Sequence, residues 1–148
     1  RSLGGSTVLA GAAGDERVAG YIFWSAPVKL YDTFAAIMGE AYGQLLSGHT
    51  VELSDEWGRF ILAPDLIRDF DNHDMDACIR KLGQRPVLVI HGERDEVVPV
   101  QNAIWLAESA ANASLYLVKN ADHRFTDQVE TRQDITIKWL EDNIIGRR

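Results

Sequence analysis

Cysteine is nearly absent from this chain. Cys78 is the only one, so no internal disulfide can form. It lies in MDACIRKL, on the apolar face of a predicted helix, and reads as a small buried hydrophobe. A lone thiol fits a reducing compartment, and the chain is read as cytoplasmic. Positive charge is also short: 15 Lys and Arg against 22 Asp and Glu leave a net charge of −7. Phosphate backbones need a basic patch, so nucleic acid is excluded as a partner. No apolar run reaches about 18 residues, so no membrane-spanning helix is expected. No stretch within these 148 residues reads as a signal peptide. There is no internal repeat and no low-complexity linker. The acidic stretch DFDNHDMD, 69–76, lacks the glycine and the distal glutamate of an EF-hand loop, so it reads as a solvated face and not a metal site. His49 and His73 read as surface histidines. No metal or cofactor is expected.

What the chain does have is alternation. Its 46% hydrophobic and 25% charged content is that of a globular protein, and its length suits one domain with a real core. GSTVLAGAA, 5–13, is small and weakly apolar and predicts a helix packed tightly on a sheet. Residues 20–24 form a short apolar run, as in a strand buried on both faces. VKLYDTFAAIMGEAYGQLL has helical spacing at Leu30, Phe34, Ile37, Met38 and Ala41, and SGHT breaks it. VELSDEWGRFILAPDLI reads as strand or short helix. Helix resumes near Met75. Val87, Leu88, Val89 and Ile90 are the clearest strand, followed by the loop HGERD and a helix from Pro99. SLYLVK, 114–119, is another short strand, and NADHRF is the loop after it. A last helix is expected from Thr126 to Ile145, with Ile135, Ile137, Trp139, Leu140 and Ile144 on its apolar face. Trp24, Trp57, Trp105 and Trp139 read as packing residues. Strand and helix alternate, which predicts an α/β fold with a parallel sheet and helices on its faces. Residues 28–66 look like an insertion between core elements.

In such sheets function gathers at the carboxyl ends of the strands. RSLGG, at residues 1–5, is one glycine short of a G-x-S-x-G elbow, and places Ser2 just before the first helix. Asp95 follows the strand 87–90, and His123 follows the strand 115–118. A serine hydroxyl is a weak nucleophile until a histidine takes its proton. A carboxylate on the other imidazole nitrogen fixes the tautomer and stabilises the imidazolium. The backbone N–H of Leu3 would be a donor to the developing oxyanion. Gly4 and Gly5 would let the helix start close to the sheet. In ERDE, Glu93 and Glu96 compete with Asp95 for the acid role. His91, in the HG before that loop, reads as a structural residue that holds the loop.

Three stretches, RSLGGSTVLAGAAGDERVAGYIFWSAP, PVLVIHGERDEVVPVQNA and LYLVKNADHRFTD, together resemble the C-terminal half of an α/β-hydrolase. The bacterial branch similar to feruloyl and cinnamoyl esterases is the nearest likeness, through H-G-x-x-D-x-x-V and A-D-H-x-F. The resemblance implies a partial α/β-hydrolase fold, the last parallel strands with flanking helices and a cap insertion. It implies an elbow, helix and strand over 1–27, the cap over 28–66, and the part carrying acid and histidine over 67–148. It favours Asp95 as the acid and implies Ser2 as nucleophile, His123 as base, a small-molecule ester substrate and an acyl-enzyme. Trp57, inside the cap, is a candidate substrate contact. The first strands of that fold are absent from this sequence, so the chain reads as a fragment whose partner is a preceding segment or a second copy, through an open sheet edge. The alternatives are a non-catalytic domain that pairs through that edge, or a short-peptide peptidase, thioesterase or lactonase using the same triad.

Overall fold

The computed structural model describes residues 1–55 and 58–146. These fall into two compact units, Arg1–Val28 with Met75–Arg148, and Lys29–Asp74. In chain order the elements are α1 (Leu3–Ala12), β1 (Tyr21–Trp24), α2 (Leu30–Met38), α3 (Glu40–Leu46), β2 (Val51–Asp55), β3 (Gly58–Leu62), α4 (Asp65–Asp69), α5 (Met75–Lys81), β4 (Val87–Gly92), α6 (Gln101–Ser109), β5 (Ala113–Val118) and α7 (Val129–Leu140).

The first unit is built on a parallel sheet of order β1-β4-β5. All of β4 is buried. A strand covered on both faces has no solvent side to keep polar, which is why VLVI runs apolar without alternation. Successive residues feed opposite layers. Leu88 and Ile90 join Val118, Ala121, Phe125 and Trp139 in one buried cluster, with Ile22, Trp24, Ile135, Leu140 and Ile144 packed around it. This is the α7 side. On the other face α1 comes over Phe23 and packs on α5, which packs on α6. Ser6, buried in α1, donates to the Pro27 carbonyl at 2.5 Å and pins the helix to the chain leaving β1. At the amino ends of the strands, the Arg85 guanidinium sits 5.1 Å from the Tyr21 ring centroid and donates to the Asp15 carbonyl at 2.7 Å.

Some expectations need correction. The last helix starts at Val129, not Thr126, because the Thr126 N–H and hydroxyl are taken by the Asp122 carboxylate. After Leu140 it widens into a π-helical turn, Glu141–Ile145. Ile137 is 55% exposed, although the other four residues assigned to that face are in or around the cluster. Two residues from both Ile135 and Trp139, it projects to the far side of a helix with 3.6 residues per turn. Trp105 is also exposed, and its indole N–H donates to Asp76 at 2.9 Å. In β5, which pairs only with β4 among the described residues, Tyr116 and Leu117 are exposed.

In the second unit the long helix expected over 28–46 is two, α2 and α3, parted at Gly39 with φ 52. That left-handed turn suits glycine, and the helical spacing on either side does not reveal it. Residues 51–55 and 58–62 form antiparallel β2 and β3, with Val51 opposite Leu62. Phe70 lies edge-on to Tyr31, with ring centroids 5.6 Å apart, and tilted against Phe34 at 5.0 Å. The Tyr31 hydroxyl donates to the Asp71 carboxylate. His49 is exposed, and His73 Nε2 meets the Asp69 carboxylate at 3.0 Å.

A Cβ at Gly5 would fall 2.6 Å from the Ala26 Cβ, whereas one at Gly4 would meet nothing within 4 Å. The close approach expected of both glycines therefore belongs to Gly5. Gly5→Ala should lower stability by about 1–3 kcal/mol through overpacking, and Gly4→Ala should change it by less than about 0.5 kcal/mol. Urea denaturation of the two variants checks this; equal effects would contradict it.

Candidate active site

Because the strands run parallel, the residues that follow β1, β4 and β5 emerge at one edge of the sheet, and the start of α1 is tied there too. Ser2 N–H donates to the Trp24 carbonyl at 2.9 Å, at the end of β1, and Gly5 N–H donates to the Ser2 carbonyl at 2.8 Å. These bonds hold Ser2 at φ 51 and ψ −140, a conformation that side-chain-bearing residues rarely adopt. Such a residue carries strain on the order of 1–3 kcal/mol, offset by its surroundings. Leu3 is the first residue of α1. The first N–H groups of a helix have no acceptor within it, so the Leu3 N–H is a donor at the positive end of the helix dipole.

The loops after β4 and β5 are locked together. Glu93 N–H donates to the Val118 carbonyl and Arg94 N–H to the Ala121 carbonyl, both at 3.0 Å. Gly92 makes the approach possible, since a Cβ there would lie 2.3 Å from the Ala121 oxygen. His123 stands between two left-handed residues, Asn120 with φ 61 and Phe125 with φ 58. Phe125 is fully buried in the α7-side cluster, so core packing helps fix the loop.

The geometry then connects the three residues singled out from the sequence. Ser2 Oγ lies 3.2 Å from His123 Nε2. His123 Nδ1 lies 2.9 Å and 3.0 Å from the two carboxylate oxygens of Asp95. Facing only acceptors, Nδ1 carries the proton, which leaves the Nε2 lone pair for the serine hydroxyl. His123 is 7% exposed and the Asp95 side chain fully buried. Burial by itself would raise the Asp95 pKa. The hydrogen bonds from His123, His91 and the N–H groups of Val98 and Val97 outweigh that and hold it well below the usual carboxylate range.

Glu96, weighed as a rival acid, takes another post: its carboxylate accepts the His123 backbone N–H at 3.1 Å. Glu93 is exposed. Asp122 was not singled out from the sequence. Its carboxylate accepts the N–H groups of Arg124 at 3.1 Å and Thr126 at 2.8 Å, which sets the turn after His123. An Asp two to four residues before free N–H groups is a common local turn signal. Trp57 lies outside the described residues. Among the described residues no group of three or more His, Cys, Asp or Glu gathers to hold a metal ion, and no helix is long and apolar enough to cross a membrane.

No family model and no curated protein matches the chain. Solved structures do. Est1E from Butyrivibrio proteoclasticus is similar over 98% of this chain and 59% of its own, with a TM-score of 0.78 and 21% identity. It has also been solved with ferulic acid bound. The esterase domain of a Rhodothermus marinus protein is similar over 96% of this chain and 59% of its own, TM-score 0.72, 20% identity. Alpha/beta hydrolase domain-containing protein 10 from mouse is similar over 93% and 60%, TM-score 0.61, 23% identity. The fold is that of the α/β hydrolases, as the resemblance in the sequence implied, and the chain spans about three-fifths of the length of these proteins.

Because the folded-state pKa of Asp95 is depressed, its carboxylate stabilises the fold fully above the unfolded value of about 4, and that contribution is lost as pH falls below it. Asp95→Asn should therefore lose about 1–3 kcal/mol at neutral pH. The gap to the unaltered protein should narrow as the pH drops below about 4. Urea titrations at neutral and acid pH measure it; a gap that stays constant would contradict the depressed pKa.

Proposed function

We propose that an α/β-hydrolase fold here serves a serine hydrolase that cleaves carboxylic esters through an acyl-enzyme. The observation that carries this reading is the unbroken line from Ser2 Oγ to His123 Nε2, and from His123 Nδ1 to a buried, ionised Asp95. A hydroxyl, an imidazole with its acceptor nitrogen free, and a charged carboxylate behind it are the parts that nucleophilic acyl transfer needs.

In this reading Ser2 Oγ attacks the ester carbonyl carbon as its proton passes to His123 Nε2. The carbonyl π bond opens to an oxyanion, which the Leu3 N–H and the amino end of α1 stabilise. Asp95 keeps the ring oriented and stabilises the imidazolium. As the tetrahedral intermediate collapses, the bond to the alcohol oxygen breaks and His123 returns the proton to that alcohol. Water then repeats the steps: His123 takes its proton, its oxygen adds to the acyl carbon, and the acid leaves as Ser2 regains its hydrogen. The strained backbone at Ser2 lifts the hydroxyl out of the helix that follows, where a substrate can meet it. The likeness to Est1E, solved with ferulic acid bound, supports small carboxylic esters as the substrate class.

A fluorophosphonate probe tests the reading. The probe should attach to Ser2, mapped by mass spectrometry. Labelling should drop by about a thousandfold or more in Ser2→Ala and in His123→Ala. A folded protein labelled elsewhere, or labelled equally without His123, would sink it.

A further inference from the structure

His91 is a second histidine on the same carboxylate. It is the penultimate residue of β4 and fully buried, with Nε2 2.8 Å from the Val98 carbonyl oxygen and 3.2 Å from Asp95 Oδ2. Its Nδ1 is buried without a hydrogen-bond partner among the described residues. The protonation state follows from these contacts. Nε2 faces two acceptors and must carry a proton. A proton on Nδ1 would be a buried donor with nothing to receive it, on a ring with no exposed surface to hydrate a charge. The His91 ring therefore keeps its hydrogen on Nε2, shared between the nearer Val98 carbonyl at 2.8 Å and Asp95 Oδ2 at 3.2 Å.

The contact closes a small ring of interactions. Asp95 Oδ1 accepts the N–H groups of Val97 at 3.0 Å and Val98 at 2.8 Å, while His91 holds the carbonyl of that same Val98 and the other carboxylate oxygen. The acid loop is thus gripped at both of its ends. A carboxylate held by backbone N–H groups on one oxygen alone could still rotate its second oxygen off the line to His123. The His91 N–H removes that freedom.

We propose that His91 is a positioning residue: its Nε2–H fixes the plane of the Asp95 carboxylate, and through it the ring of His123 against Ser2. This rests on the reading of Ser2, His123 and Asp95 as the acyl-transfer machinery. Among the described residues, few groups bear on the two rings. Asp95, Glu96 and Ser2 meet His123, and Asp95 and the Val98 carbonyl meet His91. Loss of one donor leaves the carboxylate more basic and lets it hold the His123 proton more tightly.

The test compares His91→Leu, which removes the donor, with His91→Gln, whose amide N–H reaches a similar place. Hydrolysis of a 4-nitrophenyl ester is followed from about pH 5 to about pH 9. His91→Leu should lower kcat about tenfold with KM changed by less than about twofold, the pattern of misaligned chemistry and not of lost binding. The acid limb of its kcat/KM profile should move up by about half a pH unit. His91→Gln should restore both. A folded His91→Leu with kcat and acid limb unchanged, or a His91→Gln as impaired as the leucine variant, would overturn the proposal. NMR of the unaltered protein gives a readout free of both activity and mutant folding. The His91 Nε2–H resonance should shift in step with the titration of the His123 ring, because one carboxylate couples them; a resonance that ignores that titration would overturn it. If the protein hydrolyses no ester, the acyl-transfer reading fails, and the NMR coupling still decides the role of His91.

Discussion

Four donors reach the carboxylate of Asp95: the backbone N–H groups of Val97 and Val98, His123 Nδ1–H and, shared with the Val98 carbonyl, His91 Nε2–H. A buried, unpaired carboxylate would be heavily penalised, and would either take up a proton or pull the loop out to water. Here each donor offsets part of that penalty, and each donor is itself fixed by the interaction. The loop from β4 curls because its N–H groups reach back to Asp95. The loop from β5 ends where His123 can donate to it. Remove the charge and both loops lose their common reason.

Backbone conformation works to the same end. Three of the four described non-glycine residues with positive φ, Ser2, Asn120 and Phe125, belong to the elbow or flank His123; the fourth, Ser25, directly follows β1. Positions of this kind persist only where packing or hydrogen bonding over-determines them. Ser2 is held by the Trp24 carbonyl and Gly5 N–H, and Phe125 by its place in the core cluster with Leu88, Ile90 and Trp139. The strain therefore lies at the site, and the apolar packing that sustains it lies beneath, between the sheet and α7.

Much of this was legible in the chain. β4 could be read because four consecutive apolar residues bounded by proline and HG leave little choice, and the loops after β4 and β5 stood out by their polar residues. The α/β class followed from alternation. What could not be read depended on distance in space. The spacing of Leu30, Phe34, Ile37 and Ala41 runs across Gly39 without a break, so one helix was expected where there are two. β2 and β3 lack a clean alternation, since Phe60 and Ile61 are both exposed. The residue types alone do not separate Glu96 from Asp95; the H-G-x-x-D-x-x-V likeness favours Asp95, but only the fold sends Glu96 to the His123 backbone N–H. His91 and Asp95 are four residues apart, but across a strand end and a loop, where no periodicity relates them.

Whether Ser2 has a base turns on where His123 keeps its proton. Nitrogen-15 NMR of the ring in its neutral form measures this. Hydrogen is expected on Nδ1, bonded to Asp95, with Nε2 bare and open to the Ser2 hydroxyl. A neutral ring carrying its hydrogen on Nε2 would leave Ser2 with no base and would rule out the proposed acyl transfer.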